Sequence, residues 1–90
     1  MKGGTRCLVT GATGFLGTNL VRALVDDGWE VRALGLAGSE TRYIRDLPVD
    51  IVFGDVTDEA DVDRAVRGVE VVFNLAGDTS WWKRNFERQR

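Results

Sequence analysis

Ninety residues suffice for one small domain with a modest core and are too few for a second. Twelve basic and fourteen acidic side chains leave a net charge of -2, which gives no footprint for nucleic acid; the lack of histidine and a single cysteine, Cys7, leave no disulfide and argue against a metal site. No run approaches the roughly 18 apolar residues of a membrane span, and Met1-Lys2-Gly3-Gly4 lacks the apolar stretch of a signal peptide, so the expectation is a cytoplasmic protein with no membrane partner.

Arg6-Cys7-Leu8-Val9-Thr10 reads as a short buried strand, and Leu16, Leu20, Val21, Leu24 and Val25 follow it at helical spacing. Between them stands Gly11-Ala12-Thr13-Gly14-Phe15-Leu16-Gly17, with three glycines at three-residue spacing. The first amides of a helix have no internal partner and, with the helix dipole, attract a pyrophosphate. Gly11 permits the sharp turn out of the strand, Gly14 lets backbone approach the phosphates, and Gly17 lets the helix pack closely against the sheet. Gly11, Thr13, Gly14, Phe15, Leu16 and Gly17 are therefore candidate cofactor contacts, and the cofactor expected is a dinucleotide. A mononucleotide P-loop needs Lys and then Ser or Thr after its last glycine; Thr18 and Asn19 stand there, which argues against kinase or ATPase chemistry.

Asp26-Asp27-Gly28 supplies a helix stop, with Gly28 suited to the left-handed cap, and residues 29–34 read as a second strand. A small-residue loop over 35–39 precedes a short helix expected over 40–47, which Pro48 closes before a third strand at Asp50-Ile51-Val52-Phe53. Asp58 can cap a further helix: Glu59 and Asp61 put negative charge in its first turn, Val62, Ala65 and Val66 form its apolar stripe, and Gly68 ends it. Residues 69–75 form a nearly unbroken apolar run, the pattern of a strand covered on both faces. In 80–90, Ser80 can cap a last helix that carries Trp82 and Phe86 on one face, and its basic residues, interrupted by Glu87, read as a solvated face.

Alternation of strands and helices implies an α/β fold. The expectation is a partial Rossmann, doubly wound unit: a parallel sheet of four strands in the order 3-2-1-4, flanked by helices. Its switch point lies between strands one and four, where the glycine turn and the segment after Leu75 come together. With no repeat or linker, residues 1–90 are expected to form a single dinucleotide-binding half-Rossmann domain.

The order of motifs resembles the extended and atypical short-chain dehydrogenase/reductases, the group of NAD(P)-dependent sugar-nucleotide epimerases, dehydratases and dihydroflavonol-reductase-like enzymes. Thr10-Gly11-Ala12-Thr13-Gly14-Phe15-Leu16-Gly17 is similar to the group's opening signature, Gly54-Asp55-Val56-Thr57-Asp58 to its motif after strand three, and Val72-Phe73-Asn74-Leu75-Ala76-Gly77 to its strand-four ending. The resemblance implies that Asp55 and Val56 lie at the adenine, and that Leu75, Ala76 and Gly77 run past the ribose on the nicotinamide side. Asp55 can also be read as a turn residue. Gly35 and Leu36 take the positions that recognise the second ribose: relatives preferring NAD carry an acid at the first, and relatives preferring NADP an arginine at the second. Neither device is present. Gly35 does not repel a 2′-phosphate and Arg42 or Arg45 could reach it, so the cofactor is NAD or NADP with the balance towards NADP.

Asn74 stands where many extended members have histidine. The family's Tyr-x-x-x-Lys pair is absent, since the only tyrosine, Tyr43, has Leu47 four positions on; no residue is assigned a catalytic role. Thr79 and Ser80, with no base beside them, read as helix-capping residues. The first expectation is thus the cofactor-binding portion of an NAD(P)-dependent epimerase, dehydratase or reductase, inactive by itself. A second is self-association into a homodimer through the strand-four edge or the C-terminal helix, and a third is a module that senses nicotinamide redox state without catalysis.

Overall fold

The computed structural model describes residues 4–75. Ala76, Gly77 and the expected last helix lie outside the described residues. Strands β1 (Arg6–Thr10), β2 (Glu30–Gly35), β3 (Asp50–Phe53) and β4 (Val71–Asn74) and helices α1 (Phe15–Asp26) and α2 (Glu59–Val66) follow in the order β1-α1-β2-β3-α2-β4. The sheet is wholly parallel and runs β3-β2-β1-β4, so the chain reverses its direction of travel across the sheet at β1.

The strand period of two divides the apolar residues between two layers. Cys7 and Val9 of β1, with Val31 and Ala33 of β2, pack under Val21 and Leu24 of α1. Leu8 and Leu34 point to the other face and meet Val62, Ala65 and Val66 of α2. β1 is covered on both faces, which is why three successive apolar residues suit it. β4 follows the same rule at lower coverage: Val71 and Phe73 face the α1 layer and Val72 the α2 layer, but at the edge of the described sheet all four of its residues are only half-buried. The strand is also shorter than its apolar run, since Val69 is buried before it and Leu75 is exposed after it.

Charged groups are placed where the helices end. Asp58 accepts from the amides of Ala60 and Asp61 and so caps α2. At the opposite end Arg32, on β2, reaches across the sheet and donates to the carbonyls of Ala65 (2.7 Å) and Arg67 (2.9 Å), where the helix dipole favours a cation. Gly28 and Gly68, at φ +90° and +77°, turn the chain out of the two helices.

Residues 40–47 do not form the expected helix. They make one isolated turn, with the amides of Ile44 and Arg45 both bonded to the Thr41 carbonyl, and only Ile44 is buried. Ile44 and the partly buried Leu47 anchor it, too short an apolar stripe to offset the cost of helix nucleation. β2 begins and ends one residue later than expected and takes in Gly35.

The tightest contact in the fold is at Gly17: a Cβ there would lie 2.0 Å from the Gly11 carbonyl oxygen and 2.7 Å from the Ala12 Cα. Gly17→Ala is therefore expected to lower the stability measured by urea unfolding by about 2 kcal/mol or more, as overpacking does when backbone cannot yield. In the turn between β3 and α2, donation from Thr57 holds the Asp55 carboxyl below its ordinary range, and donation from the Asp55 amide and from Arg64 does the same for Asp61. A carboxyl whose pKa is lower folded than unfolded adds stability above its unfolded value of about 4 and loses it as pH falls through the folded value. The urea midpoint should thus drop on acidification below about pH 4, and Asp61→Asn should flatten that drop.

Candidate functional site

β1 ends at Thr10, whose side chain is fully buried. Gly11 then turns the chain at φ +66°, a conformation that disfavours any residue with a Cβ. The Gly14 amide donates back to the Gly11 carbonyl (3.2 Å), and the Gly14 carbonyl takes the first helical bond, from Thr18 (2.9 Å). Two further bonds hold this loop to its surroundings: the Ala12 amide donates to Leu34 on β2 (3.3 Å), and the Thr18 hydroxyl to the Ala12 carbonyl (3.2 Å).

The helix that starts here has no cap. Gly14 at the N-cap has no side chain to accept, and the first turn of α1 contains no acid, whereas α2 has both Asp58 and an acidic first turn. Helix geometry leaves the first-turn amides of α1 without internal acceptors, and no acid in its first turn complements the positive end of the dipole. A Cβ on Gly14 would meet only the Gly11 carbonyl, at an ordinary 3.6 Å, so the space above it is open. The three glycines thus differ. Gly17 is required by packing against the loop itself, Gly11 by its dihedral, and Gly14 by neither, which leaves room for a ligand as its reason. An open cradle of donor amides fits a pyrophosphate.

The other candidates arrive at the same end of the sheet. Gly35 and Leu36 follow β2; Gly35 lies directly beside Thr13, whose methyl would be 2.9 Å from any Cβ placed there. The Gly54 amide bonds to the Gly35 carbonyl (2.9 Å), which brings Asp55 next to them. Asp55 is a turn residue, as one reading had it: its Oδ1 accepts from the Thr57 amide (2.8 Å) and hydroxyl (2.6 Å), and its exposed carboxylate lies at the rim of the crevice. Val56 packs partly against the α2 layer. Leu75 is held at the exit of β4, its amide donating to the Thr10 carbonyl (3.3 Å) and hydroxyl (3.1 Å).

Two features escape the sequence motifs. The Thr10 hydroxyl also donates to the Asn74 side-chain oxygen (2.5 Å), tying the ends of β1 and β4 together; the signal for it is a polar residue closing each of two apolar strands. Of the six exposed large apolar residues among those described, five, Phe15, Leu16, Leu36, Phe53 and Leu75, follow or end strands at the carboxyl edge of the sheet or open α1 beside it, with Phe15 83% and Leu16 70% exposed; the sixth is Tyr43 in the turn over 41–47. Leu16 therefore belongs to the rim and not to the buried stripe of α1. An apolar rim around a polar cradle marks a binding surface.

Nothing else in the described residues competes for chemistry. Burial pushes the Cys7 thiol up to about 11, which keeps it protonated and inert. Among the described residues no three His, Cys, Asp or Glu side chains gather to hold a metal, and no helix is long and apolar enough to cross a membrane. A groove at the opposite end of the sheet has its charges paired internally, Arg6 with Glu30 and Arg32 with Asp50, each at 3.1 Å.

The profile of the NAD dependent epimerase/dehydratase family matches residues 7–90. Among curated proteins, the chain is 42% identical over 79 residues to a putative dihydroflavonol 4-reductase of Synechocystis (88% of this chain, 23% of the relative) and 46% identical over 69 residues to the ceramide reductase of Caulobacter vibrioides (77% and 22%). Among solved structures, an epimerase from Methanothermobacter thermautotrophicus superposes with a TM-score of 0.70 at 33% identity, covering 83% of this chain and 23% of that one. A nucleoside-diphosphate-sugar epimerase from Pseudomonas aeruginosa, at 24% identity and a TM-score of 0.75, shares the fold over 94% of this chain and 29% of its own. The chain spans less than a quarter of the length of the two curated relatives. It belongs to the NAD dependent epimerase/dehydratase family, whose NAD(P)-binding Rossmann unit it carries.

Proposed function

We propose that the amides over Gly11, Thr13, Gly14, Phe15, Leu16 and Gly17 take the cofactor's pyrophosphate, that Gly35, Leu36, Asp55 and Val56 bound the adenosine half, and that Leu75, Ala76 and Gly77 border the nicotinamide ribose. The observation that carries this reading is the uncapped start of α1 above the open space at Gly14. The exposed Asp55 carboxylate can accept from an exocyclic amino group through the oxygen not engaged by Thr57.

Bound there, the cofactor supplies hydride transfer at its nicotinamide. The part of these residues is to bind and orient it: the α1 amides fix the diphosphate, and the Thr10-Leu75 bonds set the β4 exit beside it. No residue of this chain is given the acid–base role, since Tyr43, its only tyrosine, lies in the turn beyond β2 with Leu47 four positions on. We read residues 1–90 as a single dinucleotide-binding domain that is inactive alone. The whole protein we read as an oxidoreductase working on a hydroxyl or carbonyl carbon, which the relatives named as reductases support. A cytoplasmic location suits a lone, buried thiol.

Gly35 offers no charge against a 2′-phosphate, which favours NADP over NAD. Calorimetric titration should accordingly show binding of both dinucleotides, tighter for NADP+, with amide shifts concentrated at residues 11–17. Gly14→Val, at φ -79° and with an ordinary contact for its Cβ, should cost only about 1 kcal/mol of stability, since valine caps a helix less well than glycine, and weaken both by tenfold or more. Undisturbed amides at 11–17 under saturating NADP+ would remove the assignment.

The half-buried β4 edge favours a second property, pairing of this strand with a second copy of the chain. Light scattering at high micromolar concentration should then report dimers, and a monomer with a cooperative melt would rule this out.

A further inference from the structure

The positions that recognise the adenosine ribose are blank on this chain. Gly35 cannot gain an acid without displacing Thr13, whose methyl fills the place of its Cβ, and Leu36 is exposed and apolar. Of the two arginines that follow in the turn over 41–47, Arg45 is exposed and lines no part of the cavity on the flank of α1. Arg42 is bound to Glu40 through its own amide (2.8 Å) and guanidinium (3.3 Å), so its charge is locally met, and it lies over the Tyr43 ring.

A cavity of about 690 Å³ opens instead on the flank of α1, beginning at Thr13 and Gly14 in the glycine turn and running past Thr18 to Arg22 and Tyr43. Among the described residues that line it, Arg22 alone is charged. Helical geometry explains its place: Arg22 stands four residues after Thr18 and eight after Gly14, on their face, and long helical side chains lean toward the N-terminus. Its guanidinium is steadied by donation to the Tyr43 carbonyl (2.7 Å), a neutral acceptor that leaves the charge in place. Its carboxylate neighbour, Asp46, is at 4.0 Å and largely exposed, a pair that contributes little.

We propose that Arg22 receives the 2′-phosphate of NADP, in the cavity that joins the glycine turn to Tyr43, and so does the work of the arginine absent after β2. This rests on the dinucleotide reading above. Arg22 can give a phosphate paired N–H donors with its charge only weakly opposed, Thr13 lines the cavity where it meets the glycine turn, and NAD has nothing to place there.

The test compares NADP+ with NAD+ by calorimetry on the full chain and three variants. The unaltered protein should prefer NADP+. Arg22→Gln should weaken NADP+ about tenfold or more and leave NAD+ unchanged, the expected size for losing charge-assisted hydrogen bonds, while unchanged NAD+ binding shows that the fold persists. Arg22→Lys should keep part of the preference, and Arg42→Gln all of it. A preference that survives Arg22→Gln, or is lost on Arg42→Gln, overturns the proposal. Equal affinity of the unaltered protein for both cofactors overturns it and leaves the dinucleotide reading standing, and binding of neither overturns both.

Discussion

Everything at the carboxyl edge of the sheet depends on how closely α1 approaches the end of β1. The Gly11 carbonyl and Ala12 Cα occupy the volume that any Cβ on residue 17 would need, so helix and loop touch backbone to backbone. That contact, with Gly11 at φ +66°, fixes where the helix begins and which way its first amides point. The bonds from Ala12 to Leu34 and from the Thr18 hydroxyl to Ala12 then hold the loop against β2 and α1. The cradle is preorganised: a ligand arriving there need not order it, and that entropy has already been spent in folding.

The two helices show how the same backbone physics is put to different ends. Each begins with amides that lack partners. In α2, Asp58 accepts from two of them, and Glu59 and Asp61 complement the dipole, so that terminus is complete within the chain. In α1 a glycine stands at the cap and no acid follows in the first turn, so that terminus favours an anion. Charge is more mixed elsewhere along the edge. Asp55, Asp58, Glu59 and Asp61 lie where β3 leads into α2, with Arg64 paired to Asp61, while beside the turn over 41–47 Arg22 faces Asp46 and Arg42 faces Glu40.

Much of this could be read from residues because the responsible pattern is local. β1, β3, the Asp58 cap, the strand order and the special glycines follow from runs of a few residues and from the handedness of parallel crossovers. What could not be read is what depends on contacts distant in sequence. The turn over 41–47 has helix-forming residues but only Ile44 to bury fully and Leu47 in part, and that is decided by the α1 layer it meets. Leu16 fits the helical stripe by spacing, yet its place in the first turn exposes it. Arg32 interrupts an apolar strand for a reason visible only when the carbonyls of Ala65 and Arg67 are seen above it. Asn74 likewise carries meaning only once β4 is paired with β1.

That last pairing bears on how a site can stay accurate on so small a core. In the proposed reading, the diphosphate cradle and the wall beside the nicotinamide must keep a set separation and belong to the segments leaving β1 and β4. Backbone pairing aligns the strands only as far as Thr10 with Asn74. Beyond that point the Thr10 hydroxyl donates to Asn74 and accepts from the Leu75 amide, while the Thr10 carbonyl takes the same amide from the other side. A buried hydroxyl that serves as donor and acceptor at once leaves neither strand free to shift without exposing an unsatisfied group, which costs about 1–3 kcal/mol. An apolar residue at position 10 would bury as well and hold nothing in place, so the polar end of β1 is best understood as fixing the distance between the two halves of the site.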